Sequence, residues 1–143
     1  MLKTIPSIFT PDLLRLMMAM GHGEELLISD ANYPALTTGG PEIPRIYIPV
    51  PDLASLLKEI LRFFPLDDAV DTPLMVMEAA KESGAYAQYQ ETLRQVDIKA
   101  PIGTLERFEF YKKAASAAGI VITGCTVKAA NILLKKGVVR NSN

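Results

Sequence analysis

The chain has 143 residues, 15 basic against 16 acidic groups, one cysteine and 49% apolar residues, with a mean hydropathy of +0.18. That length predicts one domain with a sizeable core, the apolar balance hints at surface covered by another subunit, and the near-zero charge without a basic, aromatic-interleaved run argues against nucleic-acid binding. A lone Cys125 excludes an internal disulfide framework. With no apolar stretch near about 18 residues and no signal-like start, the expectation is a cytoplasmic protein without a membrane partner.

Thr10-Pro11-Asp12 reads as a helix start: an N-cap hydroxyl, proline in the first turn and an acid at the positive dipole end. Leu13, Leu14, Met17 and Met18 then recur as a buried face, and Gly21 is read as the helix stop. The stretch Gly21 to Pro34 holds the only histidine, His22, between two glycines. Leu26 to Ile28 is too short for a helix and predicts a buried strand, with Asp30 leaving its carboxyl end, where ligands bind in open α/β sheets. Such a strand spans roughly 20 Å, so His22 and Asp30 need not touch in one subunit. They face one cleft from opposite walls, or belong to a site shared between two copies. Read alone, a glycine-flanked histidine is equally a turn residue and an aspartate after a strand an Asx cap.

Ala35 to Pro44 predicts a long irregular loop of the kind that covers ligands. Arg45 to Ile48 alternates like a strand, and Asp52 to Phe64 carries Leu53, Leu56, Leu57, Ile60, Leu61 and Phe64 on one helical face. Pro73 to Glu78 reads as another buried strand, and Tyr86, Tyr89, Leu93 and Val96 mark a more polar helix. Glu106 to Ala118 predicts a helix with Phe108, Tyr111, Ala115 and Ala118 inward, ended by Gly119. Ile120 to Thr123 is a short strand, and Asn131 to Lys136 a last strand, although its length also allows a helical turn. The alternation gives a single α/β domain spanning residues 1–143, with helices packed on a largely parallel or mixed β-sheet.

No phosphate-cradling glycine loop is present, zinc would need more than one histidine and one cysteine, and no G-x-S-x-G elbow supports a serine nucleophile. Acid/base chemistry without a metal or organic cofactor survives, using His22, a few carboxylates, Arg107 and several tyrosines. Each has an ordinary alternative: Arg107 as a surface helix charge, Tyr111 as core, Asn131 as a turn cap.

Gly21-His22-Gly23-Glu24 with Asp30-Ala31-Asn32-Tyr33-Pro34, then Arg107-Phe108 with Phe110-Tyr111, then Ile120 to Gly124 and Asn131 to Val138 resemble, in order and spacing, the RbsD/FucU family of L-fucose mutarotases and D-ribose pyranases. The arginine-phenylalanine and lysine-lysine-glycine segments look more like the fucose branch. The resemblance implies a cofactor-independent isomerase that interconverts monosaccharide anomers, assembled into a homo-oligomeric ring, often a decamer, with sites near subunit contacts. It implies His22 as the acid/base residue, with Asp30, Arg107 and the Ala129 to Asn131 segment around the sugar. Ala129 stands where the family commonly has a tyrosine, and Leu36 where fucose-type members can carry a polar residue. A protein that binds a monosaccharide or regulates without turning it over is the alternative.

Overall fold

The computed structural model describes residues 1–141. Its elements in chain order are α1 (Pro11–Ala19), β1 (Glu25–Ser29), β2 (Arg45–Ile48), α2 (Leu53–Leu61), β3 (Leu74–Met77), α3 (Ala85–Gln95), β4 (Ile102–Leu105), α4 (Arg107–Ala114), β5 (Gly119–Thr123) and β6 (Ile132–Lys135), with a 3₁₀ turn at Glu78–Ala80. The strands form one sheet in the order β2-β5-β1-β6-β3-β4. All run the same way except β6, which lies antiparallel between β1 and β3. The sheet is therefore mixed, within the expectation.

β1 and β5 are buried almost throughout, because helices or loops cover both faces of a parallel sheet. Leu26, Ile28, Val121, Ile132, Leu134, Leu74 and Val76 face one layer, where α1, α2 and α3 pack. The alternate residues Leu27, Ile120, Ile122, Leu133 and Met77 face the other, which is closed by Phe110, Ala114 and Ala117 and by Tyr33, Ala35 and Ile43 of the loop after β1. α2 supplies Leu53, Leu56, Leu57, Ile60 and Leu61 to the first layer, each contributing about 1.5–3 kcal/mol by leaving water. The carboxylate of Asp52 caps it by accepting from the Ser55 N–H.

The structure differs from the sequence reading at β4, α4 and α1. β4 carries no alternating apolar pattern and escapes a periodicity reading; its Ile102 is buried while Gly103 to Leu105 are half-buried at the sheet edge. α4 turns Phe110 and Ala114 inward and leaves Phe108 67% exposed and Ala115 at the surface. The helix runs from Arg107 to Ala114, and it is Phe110 and Ala114 that join the layer of Leu27, Ile120 and Leu133, so the inward stripe runs one step out of phase with the predicted one. In α1, Leu13 and Met17 are buried whereas Met18 is 83% exposed. Gly21 does not act as a left-handed stop: α1 ends in an extended Met20, and the Lys136 ammonium donates to the carbonyls of Met17 and Met20, a cation at the negative end of the helix.

The segment from Ala31 to Pro44 is irregular, as expected, but it is held firmly. The Arg45 guanidinium donates to the carbonyls of Ala35 at 2.8 Å, Ile43 at 2.7 Å and Thr38 at 2.9 Å, with longer bonds to Leu36 and Gly40. Among the described residues, no helix is long and apolar enough to cross a membrane.

Candidate active site

Four chain segments meet at the edge where β1, β3, β4 and β5 end and β6 begins. They enclose a cavity of about 320 Å³ lined by Asp30, Tyr33, Met77, Arg107, Tyr111 and Asn131 among others, with Lys128 and Ala129 beside them. The volume lies at the small end of ligand pockets. Antiparallel β6 is what brings Asn131, at its start, beside Asp30, at the end of β1. The Asp30 N–H donates to Asn131 Oδ1 at 2.8 Å, and the Asn32 N–H donates to Asp30 Oδ1 at 2.9 Å. Asp30 is 4% exposed, and burial pushes its carboxyl above the usual value, against the opposing pull of the Asn32 N–H and the Asn131 amide.

Arg107 opens α4, so its side chain stands at the cavity mouth. Its Nε donates to the Tyr111 hydroxyl at 3.1 Å one turn along, and the guanidinium lies 5.5 Å from the Tyr111 ring centre, a cation–π arrangement. The Tyr33 ring packs edge-on against Tyr111 at 5.6 Å and against Phe110 at 6.4 Å. Ala129 adopts φ 56°, a left-handed conformation uncommon for a residue with a side chain. Together these groups offer a buried carboxyl, an amide, a guanidinium and a phenol around an aromatic wall, a set suited to hydroxyl-rich ligands.

His22 is not in this cavity. It follows α1 and precedes β1, at the opposite edge of the sheet, where the Gly23 N–H donates to the Lys136 carbonyl and Gly23 takes φ 84°, a turn that favours glycine. There His22 Nε2 lies 3.0 Å from Asp67 Oδ1, with the histidine half exposed and the aspartate buried. Asp67 Oδ1 also accepts from the Ala69 N–H, and these bonds hold the Asp67 carboxyl below the usual value, the Ala69 N–H contributing most. Within one chain, Asp67 and not Asp30 orients the imidazole.

Of the residues expected at a site, the structure thus brings together Asp30, Arg107, Ala129 and Asn131, and leaves His22 apart from them. Leu36 is exposed and does not line the cavity. Sequence reasoning missed Asp67, which lies 45 positions from its partner in an acidic pair that reads as surface. It also placed Tyr111 in the core, although this ring is half-buried and faces the cavity. Among the described residues, no group of three or more His, Cys, Asp or Glu side chains stands close enough to hold a metal ion.

Residues 3–139 match the model of the RbsD / FucU transport protein family. A fucose mutarotase from Mus musculus is 38% identical, the match covering 96% of this chain and 95% of the relative. The structure of a fucose mutarotase from Streptococcus pneumoniae in complex with L-fucose superposes with a TM-score of 0.87 at 35% identity, over 97% of this chain and 100% of the other. FucU from Bifidobacterium longum gives the same TM-score and identity, over 95% of this chain and 100% of that one.

Proposed function

The chain belongs to the RbsD/FucU family, and from that premise we propose that it is a sugar mutarotase, an isomerase acting on L-fucose or a closely related monosaccharide. The observation that carries this reading is the cavity in which a buried Asp30 meets Asn131, Arg107 and Tyr111. The alternative of binding without turnover is not favoured, because relatives from Mus musculus and Homo sapiens that match 96% of the chain are fucose mutarotases.

Mutarotation requires one proton to leave the anomeric hydroxyl while another reaches the ring oxygen. The C1–O5 bond then breaks, the open aldehyde turns about C1–C2, and the hydroxyl re-adds to either face with both protons returned. In our reading Asp30 and Asn131 hold sugar hydroxyls, while Arg107 and Tyr111 bracket the opposite rim. His22 is the acid/base group. Asp67 accepts the Nε2 proton and so leaves Nδ1 free to take a proton from the sugar. Such assistance contributes about 10²–10⁴-fold, enough to make a spontaneous reaction fast.

Because His22 and the cavity occupy opposite sheet edges, we place each working site between two copies, with His22 of one copy facing the Asp30 cavity of the next. Contacts of this head-to-tail kind close into rings, in keeping with a homo-oligomeric ring such as a decamer. The single, buried Cys125 suits the reducing cytoplasm, and fractionation of the source cells checks that placement. Saturation transfer between the anomeric NMR signals of fucose, ribose, galactose and arabinose tests the activity. Exchange accelerated on fucose is expected, and no acceleration on any sugar by the assembled protein would reject it.

A further inference from the structure

We propose that Tyr89, on the face of the sheet remote from the cavity, is a positioning residue for the sugar site and acts through the turn at Ala129 to Asn131. The proposal rests on the mutarotase reading for its activity arm alone. Tyr89 projects from α3 into the first layer, where it is 1% exposed, and its hydroxyl donates to the Ala130 carbonyl at 2.8 Å. Ala130 itself is buried, between the left-handed Ala129 and Asn131, both of which line the cavity.

The need for this bond follows from the turn. A left-handed residue bearing a side chain is strained and persists only where its surroundings over-determine it, and a buried carbonyl without a donor is costly. The Tyr89 bond meets both demands, since it fixes the peptide plane between Ala130 and Asn131. That plane sets where the Asn131 side chain stands, and its Oδ1 receives the Asp30 N–H. The Ala130 N–H donates to the Val127 carbonyl at 3.3 Å, and it also favours the charged form of the Asp30 carboxyl. A phenol in the opposite layer thus determines the separation of two groups that hold the sugar. Burial pushes the phenol up, so it remains a donor throughout the working pH range.

The test is Tyr89→Phe, which keeps the ring and removes the hydroxyl, beside Leu93→Ala, which removes core volume from the same helix without touching the turn. Hydrogen exchange at the Asp30 amide is read by NMR, and KM and kcat for anomeric exchange are read on the assembled protein. In Tyr89→Phe the Asp30 amide should exchange about two- to tenfold faster and KM should rise by a similar factor, with kcat less affected. Leu93→Ala should lower the melting temperature yet leave Asp30 protection and KM unchanged. Unchanged protection and KM in Tyr89→Phe, equal changes in both variants, or a Tyr89→Phe chain that does not fold would each overturn the assignment. If the native protein catalyses no exchange, the mutarotase reading fails, and protection of the Asp30 amide still decides the role of Tyr89.

Discussion

His22 has one nitrogen committed to Asp67, and this commitment decides what the other can do. His22→Ala should fold normally, because the side chain is half exposed, and should lose about 10²–10⁴-fold in anomeric exchange. Asp67→Asn should lose less, since the imidazole stays in place while its tautomer is no longer fixed; wild-type exchange in either folded variant would remove the pair from the mechanism. Asp30 is the opposite case. Its carboxyl is raised by burial, so its ionisation opposes folding: this cost is absent below about 3.9, the ordinary value of a free aspartate, and is fully present above the raised folded value. Asp30→Asn should therefore be at least as stable as the native protein at neutral pH, with the difference vanishing on acidification, while exchange is lost. A variant less stable at neutral pH, measured by urea unfolding, would contradict the linkage.

Among the elements, the loop after β1 is the one whose conformation rests on a single side chain. Arg45 reaches carbonyls at Ala35, Thr38 and Ile43 at once, which a planar fork can do and an ammonium cannot. Arg45→Lys should lower the unfolding free energy by about 1.5–3 kcal/mol, the scale of a hydrogen bond to a charged group, and should speed proteolysis between Ala35 and Pro44. An unchanged urea midpoint would show that the loop is held by Tyr33, Ala35 and Ile43 packing alone. Tyr33 and Asn32 begin this loop and line the cavity, so the staple also keeps one wall of the site in place.

At the scale of the molecule, the sheet separates His22 and Asp67, at the edge where β1 begins, from the Asp30 cavity where it ends, and the shared-site proposal turns on whether a second copy joins them. Mixing His22→Ala with Asp30→Asn chains, unfolding them and reassembling them together distinguishes the possibilities. Random head-to-tail assembly of equal amounts rebuilds about a quarter of the sites with both groups intact, since each site draws one group from each neighbour. Recovery of roughly that share of native exchange is expected; none would place the whole site within one chain. Sedimentation of the native protein should show an oligomer, and a 15.6 kDa monomer at micromolar concentration would reject the shared site.

The continuous apolar runs of β1 and β5 were legible because both faces of these inner strands are buried, and α2 because its apolar residues recur with the helical period. Asp30, Arg107, Ala129 and Asn131 were singled out by a resemblance of motifs, and the structure gathers them around one cavity. β4 was not legible, since an edge strand with Gly103 and half-buried neighbours leaves no periodic mark, and α4 misled because Phe108 and Phe110 both offer an aromatic ring and only packing on the sheet selects Phe110. The amino-acid sequence by itself thus determined the fold class, most of the elements and the groups available for chemistry. Only the tertiary structure decided which of them meet: the antiparallel placement of β6 joins Asn131 to Asp30, chain return over 45 positions joins His22 to Asp67, and the length of β1 keeps the two sets apart. Pairings of this kind depend on strand order and direction, which are settled by packing the whole sheet at once and leave no trace in local residue patterns.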